Sequence, residues 1–101
     1  MTTPVFTTEA REDLIAAVVY YDLQQPSLGA RFETAAYDGA LRIAAAPEAW
    51  PRIDTDARFF RLEPFPYALI YFADSADRAV IVAVFQLNQD PKKLAKRLAG
   101  S

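Results

Sequence analysis

Two arginines and two tyrosines stand, with Glu63, in an otherwise apolar run, RFFRLEPFPYALIYF, residues 58 to 72. Arg58 and Arg61 could clamp a phosphate; Tyr67 and Tyr71 could stack on bases or present hydroxyls. The chain contains no histidine and no cysteine. Imidazole and thiolate chemistry is therefore absent, and any reaction must use carboxylates, Arg, Lys, Tyr, Ser or Thr. Spacing works against a single site here. Arg58 and Arg61, three apart on a strand, face opposite sides, whereas Tyr67 and Tyr71, four apart, share a face and read as half-buried core with wetted hydroxyls. The acidic pairs Asp54 with Asp56 and Asp74 with Asp77 fall in expected loops, where solvated aspartate is routine, and no metal site is expected.

Positioning these groups requires a fold, and the periodicities supply one. PVF, residues 4 to 6, is a short extended start, and Thr7 or Thr8 can cap a helix expected over residues 9–23. Ala10, Leu14, Val18 and Tyr21 form its stripe, widened by Ile15 and Val19 to that of a packed helix. Pro26 breaks the pattern, and a second helix is expected over residues 28–45, with Phe32, Ala36, Gly39 and Ile43 on one face. Gly39 marks either close approach of another backbone or a tolerated surface glycine. Residues 47–56, with two prolines and four charges, read as a loop holding Trp50, either a lid on the helical hairpin or an interface anchor.

Three β-rich runs follow, over residues 57–62, 67–73 and 79–85. The last two are joined by DSADR, a connection length that implies antiparallel pairing. AVIVAVF is too apolar to alternate and belongs at the centre of the sheet. Asp90 before Pro91 then opens a short basic helix over KKLAKRLA. The order predicts a single α+β domain over residues 1–101: an N-terminal strand, an antiparallel helical hairpin packed on a mainly antiparallel sheet, and a short C-terminal helix.

Charge is segregated. Residues 92–97 hold four of the eleven basic residues and no acid, so residues 1–91 carry seven basic against thirteen acidic groups, a balance of −6. An acidic body does not provide the basic face that releases phosphate counterions, and direct nucleic-acid binding is not expected. With no long apolar segment and no basic, apolar leader, the expected location is the cytoplasm, without a membrane association.

The element order, with TEAREDLIAAVVYY and LGARFETA in the hairpin, RIAAAPEAWPRI leading into the loop, then FPYALIYF, AVIVAVFQLNQDP and the basic end, resembles the RelE/ParE superfamily of toxins from type II toxin–antitoxin pairs, in its ParE-like, plasmid-stabilisation branch. That resemblance spans about residues 5 to 97 and implies a bacterial chain neutralised by a cognate antitoxin. ParE-like members are linked to poisoning of DNA gyrase; RelE-like members cleave mRNA in the ribosome.

Where related ribonucleases often place histidine and arginines, this chain has Gln86, Asn88 and Gln89, and neutral amides do not exchange protons at pH 7. The residues thus favour a non-enzymatic inhibitor needing no cofactor, with DNA gyrase as the implied target. Alternatives are an mRNA endonuclease using Arg58, Arg61 and Tyr71, and a detoxified homologue acting only as an antitoxin partner. Trp50, Lys92, Lys93, Lys96 and Arg97 are the candidate contacts for target or antitoxin. The antitoxin is expected to lay a helix or strand along the apolar helical groove or an exposed sheet edge, and such an edge also makes a homodimer of the isolated chain an expectation.

Overall fold

The computed structural model describes residues 4–54, 56–74 and 78–100. Along the chain run β1 (Val5–Phe6), α1 (Thr8–Gln24), α2 (Leu28–Ala45), β2 (Arg58–Arg61), β3 (Tyr67–Ala73), β4 (Ala79–Gln86) and α3 (Pro91–Ala99). This is the expected α+β order, with bounds within two residues of those read from the sequence. The four strands form one sheet in the order β1-β4-β3-β2. β1 pairs with β4 in parallel, while β2–β3 and β3–β4 are antiparallel. DSADR does connect antiparallel strands, although its residues 75–77, Asp77 included, lie outside the described residues.

Local chemistry explains the helix starts. Thr7 is the N-cap of α1, its hydroxyl accepting from the Ala10 amide at 3.2 Å. Asp90 caps α3 through the Lys92 amide at 2.9 Å, with Pro91 in the first turn. At α2 the signal is less direct. Ser27 stands at the N-cap with φ 73° and gives no side-chain cap; the Asp22 carboxylate at the end of α1 instead accepts from the Gly29 amide at 2.8 Å. A Cβ at Gly29 would collide with the Val18 carbonyl and with Asp22, so glycine is what lets the two helices meet at their turn. One expectation for Gly39 was close approach of a backbone. Its neighbours are side chains instead, with Leu62 Cδ2 2.9 Å and Phe60 Cε1 3.0 Å from where a Cβ would sit.

The sheet has an apolar layer on each face. Leu14, Phe32, Ile43, Leu69, Tyr71 and Ile81 belong to the larger cluster beneath the α1–α2 hairpin. Ala68, Ile70, Val82 and Ala83 form the smaller one on the opposite face, where Leu94 and Leu98 of α3 pack. β4 is central in the sense the sequence implied, with neighbours on both edges and helices over both faces. Its failure to alternate has a second cause that periodicity did not reveal. Ile70 pairs with Ala83 and Tyr71 with Ile81, so Val82 is an extra residue. This bulge turns both Val82 and Ala83 towards α3, while Ile81 and Val84 face the hairpin.

Candidate interaction surfaces

Arg58 and Tyr71 are brought side by side as cross-strand partners in the β2–β3 register. Both are committed to the loop that follows α2. The Tyr71 hydroxyl donates to the Pro47 carbonyl at 2.6 Å, and Arg58 Nη1 donates to the carbonyls of Glu48 and Trp50 at 3.2 and 2.7 Å. Together they hold three carbonyls of one turn. Tyr71 is fully buried, so its tip is not wetted as the sequence suggested. Burial raises its phenol above the ordinary tyrosine value, with Arg58 pulling the other way. Arg61 points elsewhere, into an exposed pairing with Glu63 at 3.9 Å. Among the described residues the two arginines share no bonding partner, and neither makes an ion pair with the helices.

Trp50 is half-buried on the hairpin-side core, edge-on to Phe60 with ring centroids 4.7 Å apart. Its indole N–H is buried without a hydrogen-bond partner among the described residues. Lys92, Lys93 and Lys96 are exposed on α3, whereas Arg97 is engaged. Arg97 Nη1 lies 2.9 Å from Asp13 Oδ2, and its Nη2 lies 3.2 Å from Asp13 Oδ1, a two-pronged pair joining α3 to α1. The hydrogen bond to Asp13 raises the guanidinium further above its ordinary value, against the effect of burial.

That pair closes a sheet edge. β1 contributes two residues, after which the Thr7 amide donates to the Ile81 carbonyl at 2.9 Å and the chain turns into α1. Beyond that point Arg97 donates to the Val82 carbonyl at 3.0 Å and the Val84 amide donates to Asp13 at 3.1 Å. Two side chains thus replace the strand neighbour that β1 is too short to provide. Asp13 was not singled out by sequence reasoning, since an exposed-looking acid in the second turn of a helix gives no sign of a partner 84 positions away. Alongside lies a cleft of about 420 Å³ between α1, β4 and α3, bordered by Tyr20, Tyr67, Gln86 and Lys93. Burial and the neighbouring Tyr21, Tyr20 and Asp13 raise the Tyr67 phenol as well.

The outward face of the hairpin is apolar without cover. Ile15, Val19 and Leu23 recur every four residues on α1 and are 62%, 52% and 80% exposed, with Tyr37 and Leu41 exposed on α2. Ile15 and Val19 therefore do not widen the packed stripe, as the periodicity implied. They form a second stripe directed away from the sheet, because α1 is apolar around most of its circumference and only one side can face the core. A groove of about 180 Å³ separates the helices there, with Arg11 and Glu33 among its borders.

On the far face of the sheet a larger apolar groove, about 620 Å³, lies between α3 and the loop after α2. Phe59, Ile70, Phe72 and Phe85 make its floor, and Asp54 and Asp56 stand on the wall opposite Leu94 and Leu98. No helix among the described residues is long and apolar enough to cross a membrane.

Comparison with known proteins supports the fold. No protein-family model matches the chain, and no curated protein matches it. Among solved structures, a chain of the "Chromosomal ParDE TA system from P. aeruginosa" superposes with a TM-score of 0.75 at 16% identity, covering 87% of this chain and 98% of that one. The chain therefore has the RelE/ParE fold, as its motifs suggested.

Proposed function

We propose that this chain, with its RelE/ParE fold, is the toxin of a bacterial type II toxin–antitoxin pair, acting in the cytoplasm through protein–protein contacts and held inactive by an antitoxin. The carrying observation is the uncovered stripe Ile15, Val19 and Leu23, continued by Tyr37 and Leu41. An apolar face of this kind on a small domain marks a protein contact. An amphipathic antitoxin helix would lie across it with apolar anchors at i, i+4 and i+8.

DNA gyrase is the proposed target, by the ParE-like resemblance. Support for a non-enzymatic action comes from Arg58 and Tyr71, whose polar groups are occupied by loop carbonyls, and from Gln86, Asn88 and Gln89, which do not exchange protons. The exposed lysines of α3 are assigned to an acidic protein surface, and Trp50 to the support of its own loop.

The test is inducible expression in a bacterium lacking the antitoxin, reading growth together with a DNA-damage reporter, and a supercoiling assay with purified gyrase. Growth arrest, reporter induction and inhibited supercoiling are expected. Full supercoiling in excess protein overturns the gyrase assignment; arrest with a silent reporter redirects it to mRNA cleavage. Harmless expression identifies a detoxified antitoxin partner.

A further inference from the structure

We infer that the groove on the α3 face of the sheet is a self-complementary interface, occupied by a second copy of this chain. The inference rests on the charge and apolar lining of this groove and is independent of the toxin reading. One wall of the groove carries Asp54 and Asp56, and the other is α3. Pro91, Leu94, Ala95 and Leu98 line it from α3, so helical spacing places Lys92 and Lys96 on the outer shoulder of that wall, exposed. Between the walls the surface is apolar, and Ile53 and Leu87 at its borders are 40% and 38% exposed.

Opposite charges on opposite walls have a symmetry consequence. A two-fold axis running along the groove brings the acidic wall of each copy onto the basic wall of its partner, so both wall contacts are attractive and the apolar floors face one another. Such an isologous match is what a two-fold dimer requires. The whole chain repeats the pattern, with −6 over residues 1–91 and four basic residues in 92–97. The hairpin's outer groove carries a single charge on each side, Arg11 and Glu33, against two acids and two lysines here, which is why the second copy is assigned to the α3 groove.

Sedimentation equilibrium of the purified full-length chain tests this. The wild type is expected at twice the chain mass of 11.3 kDa. Asp54→Lys/Asp56→Lys and Lys92→Glu/Lys96→Glu are each expected to sediment as monomers, with thermal midpoints close to wild type. Mixed in equal amounts they should associate one to one, because every wall then meets its opposite. A chain carrying all four substitutions should regain the homodimer at unchanged net charge. As an independent reading, raising salt from low to physiological strength should weaken the wild-type dimer by about tenfold through screening of exposed charges.

A wild type that stays monomeric at every concentration overturns the inference. So does a dimer indifferent to both charge reversals, or one abolished by Ile15→Glu on the hairpin. Gyrase and antitoxin assays do not depend on any of these results.

Discussion

The inner and outer sides of α1 are similar in composition and opposite in fate. Ala10, Leu14 and Ala17 are at most 4% exposed under the sheet, whereas Ile15, Val19 and Leu23, as apolar or more so, are at least 52% exposed. Nothing in the local sequence separates them; the difference is what lies opposite. α2, β4 and β1 cover one side, and no element among the described residues reaches the other. Hydrophobicity on the inner side therefore stabilises the fold, and on the outer side it is available to a partner.

Truncation should separate the two sides most sharply. Leu14→Ala is expected to lower unfolding free energy by about 3 kcal/mol, since it opens a cavity in a packed core. Ile15→Ala should change it by less than about 0.5 kcal/mol. The order reverses for binding: Ile15→Ala or Val19→Ala should weaken antitoxin association about tenfold or more, as loss of a central anchor does. Denaturant titration and calorimetry on the same variants check both, and equal stability losses at Leu14 and Ile15 would remove the distinction.

Asp13 sits between the two sides of α1 and ties the helix to β4 and α3. Asp13→Asn is expected to cost about 2 kcal/mol, because it leaves the partly buried Arg97 without its carboxylate. Hydrogen exchange should rise at the Val84 amide and along α3 before it rises elsewhere in the sheet.

Tyr71→Phe removes the hydroxyl that holds Pro47 and is expected to cost about 1.5 kcal/mol at neutral pH. Its effect also depends on pH. Burial raises the Tyr71 phenol, so its contribution is complete below the unfolded value near 10 and declines as pH rises through the higher folded value. Wild-type stability should therefore fall at alkaline pH, and Tyr71→Phe should lose less over that range. Thermal melts across the alkaline range measure the difference.

The smallest expected change is favourable. Ser27 adopts φ 73°, where a Cβ is disfavoured, and Ser27→Gly should stabilise the chain by about 0.5 kcal/mol. A loss instead would show that the Ser27 side chain supports the hairpin in some way beyond the bonds described.

Legibility in the sequence followed the range of the interactions. Thr7, Asp90 and Pro91 act within a few residues, and the ends they define were readable directly. β3 was readable to the residue, because apolar character over residues 67–73 is bounded by Pro66 and Asp74. The bulge at Val82 was hidden, since an extra residue is defined only against its partner strand. Site reasoning met the same boundary: Arg58 and Tyr71 were conspicuous as chemistry, but their partners are carbonyls, which no side-chain pattern displays.

By itself the sequence determined the element order, the α+β class, the absence of imidazole and thiolate chemistry, and the separation of an acidic body from a basic end. These follow from composition and from periodicities carried by neighbouring residues. Only the tertiary structure decided which apolar stripe of α1 is core, that Asp13 and Arg97 close the edge of β4, and that Asp54, Asp56 and α3 border one groove. Each depends on residues distant in the chain being placed together, and the free energy of such a contact belongs to the pair and its surroundings, not to either segment alone.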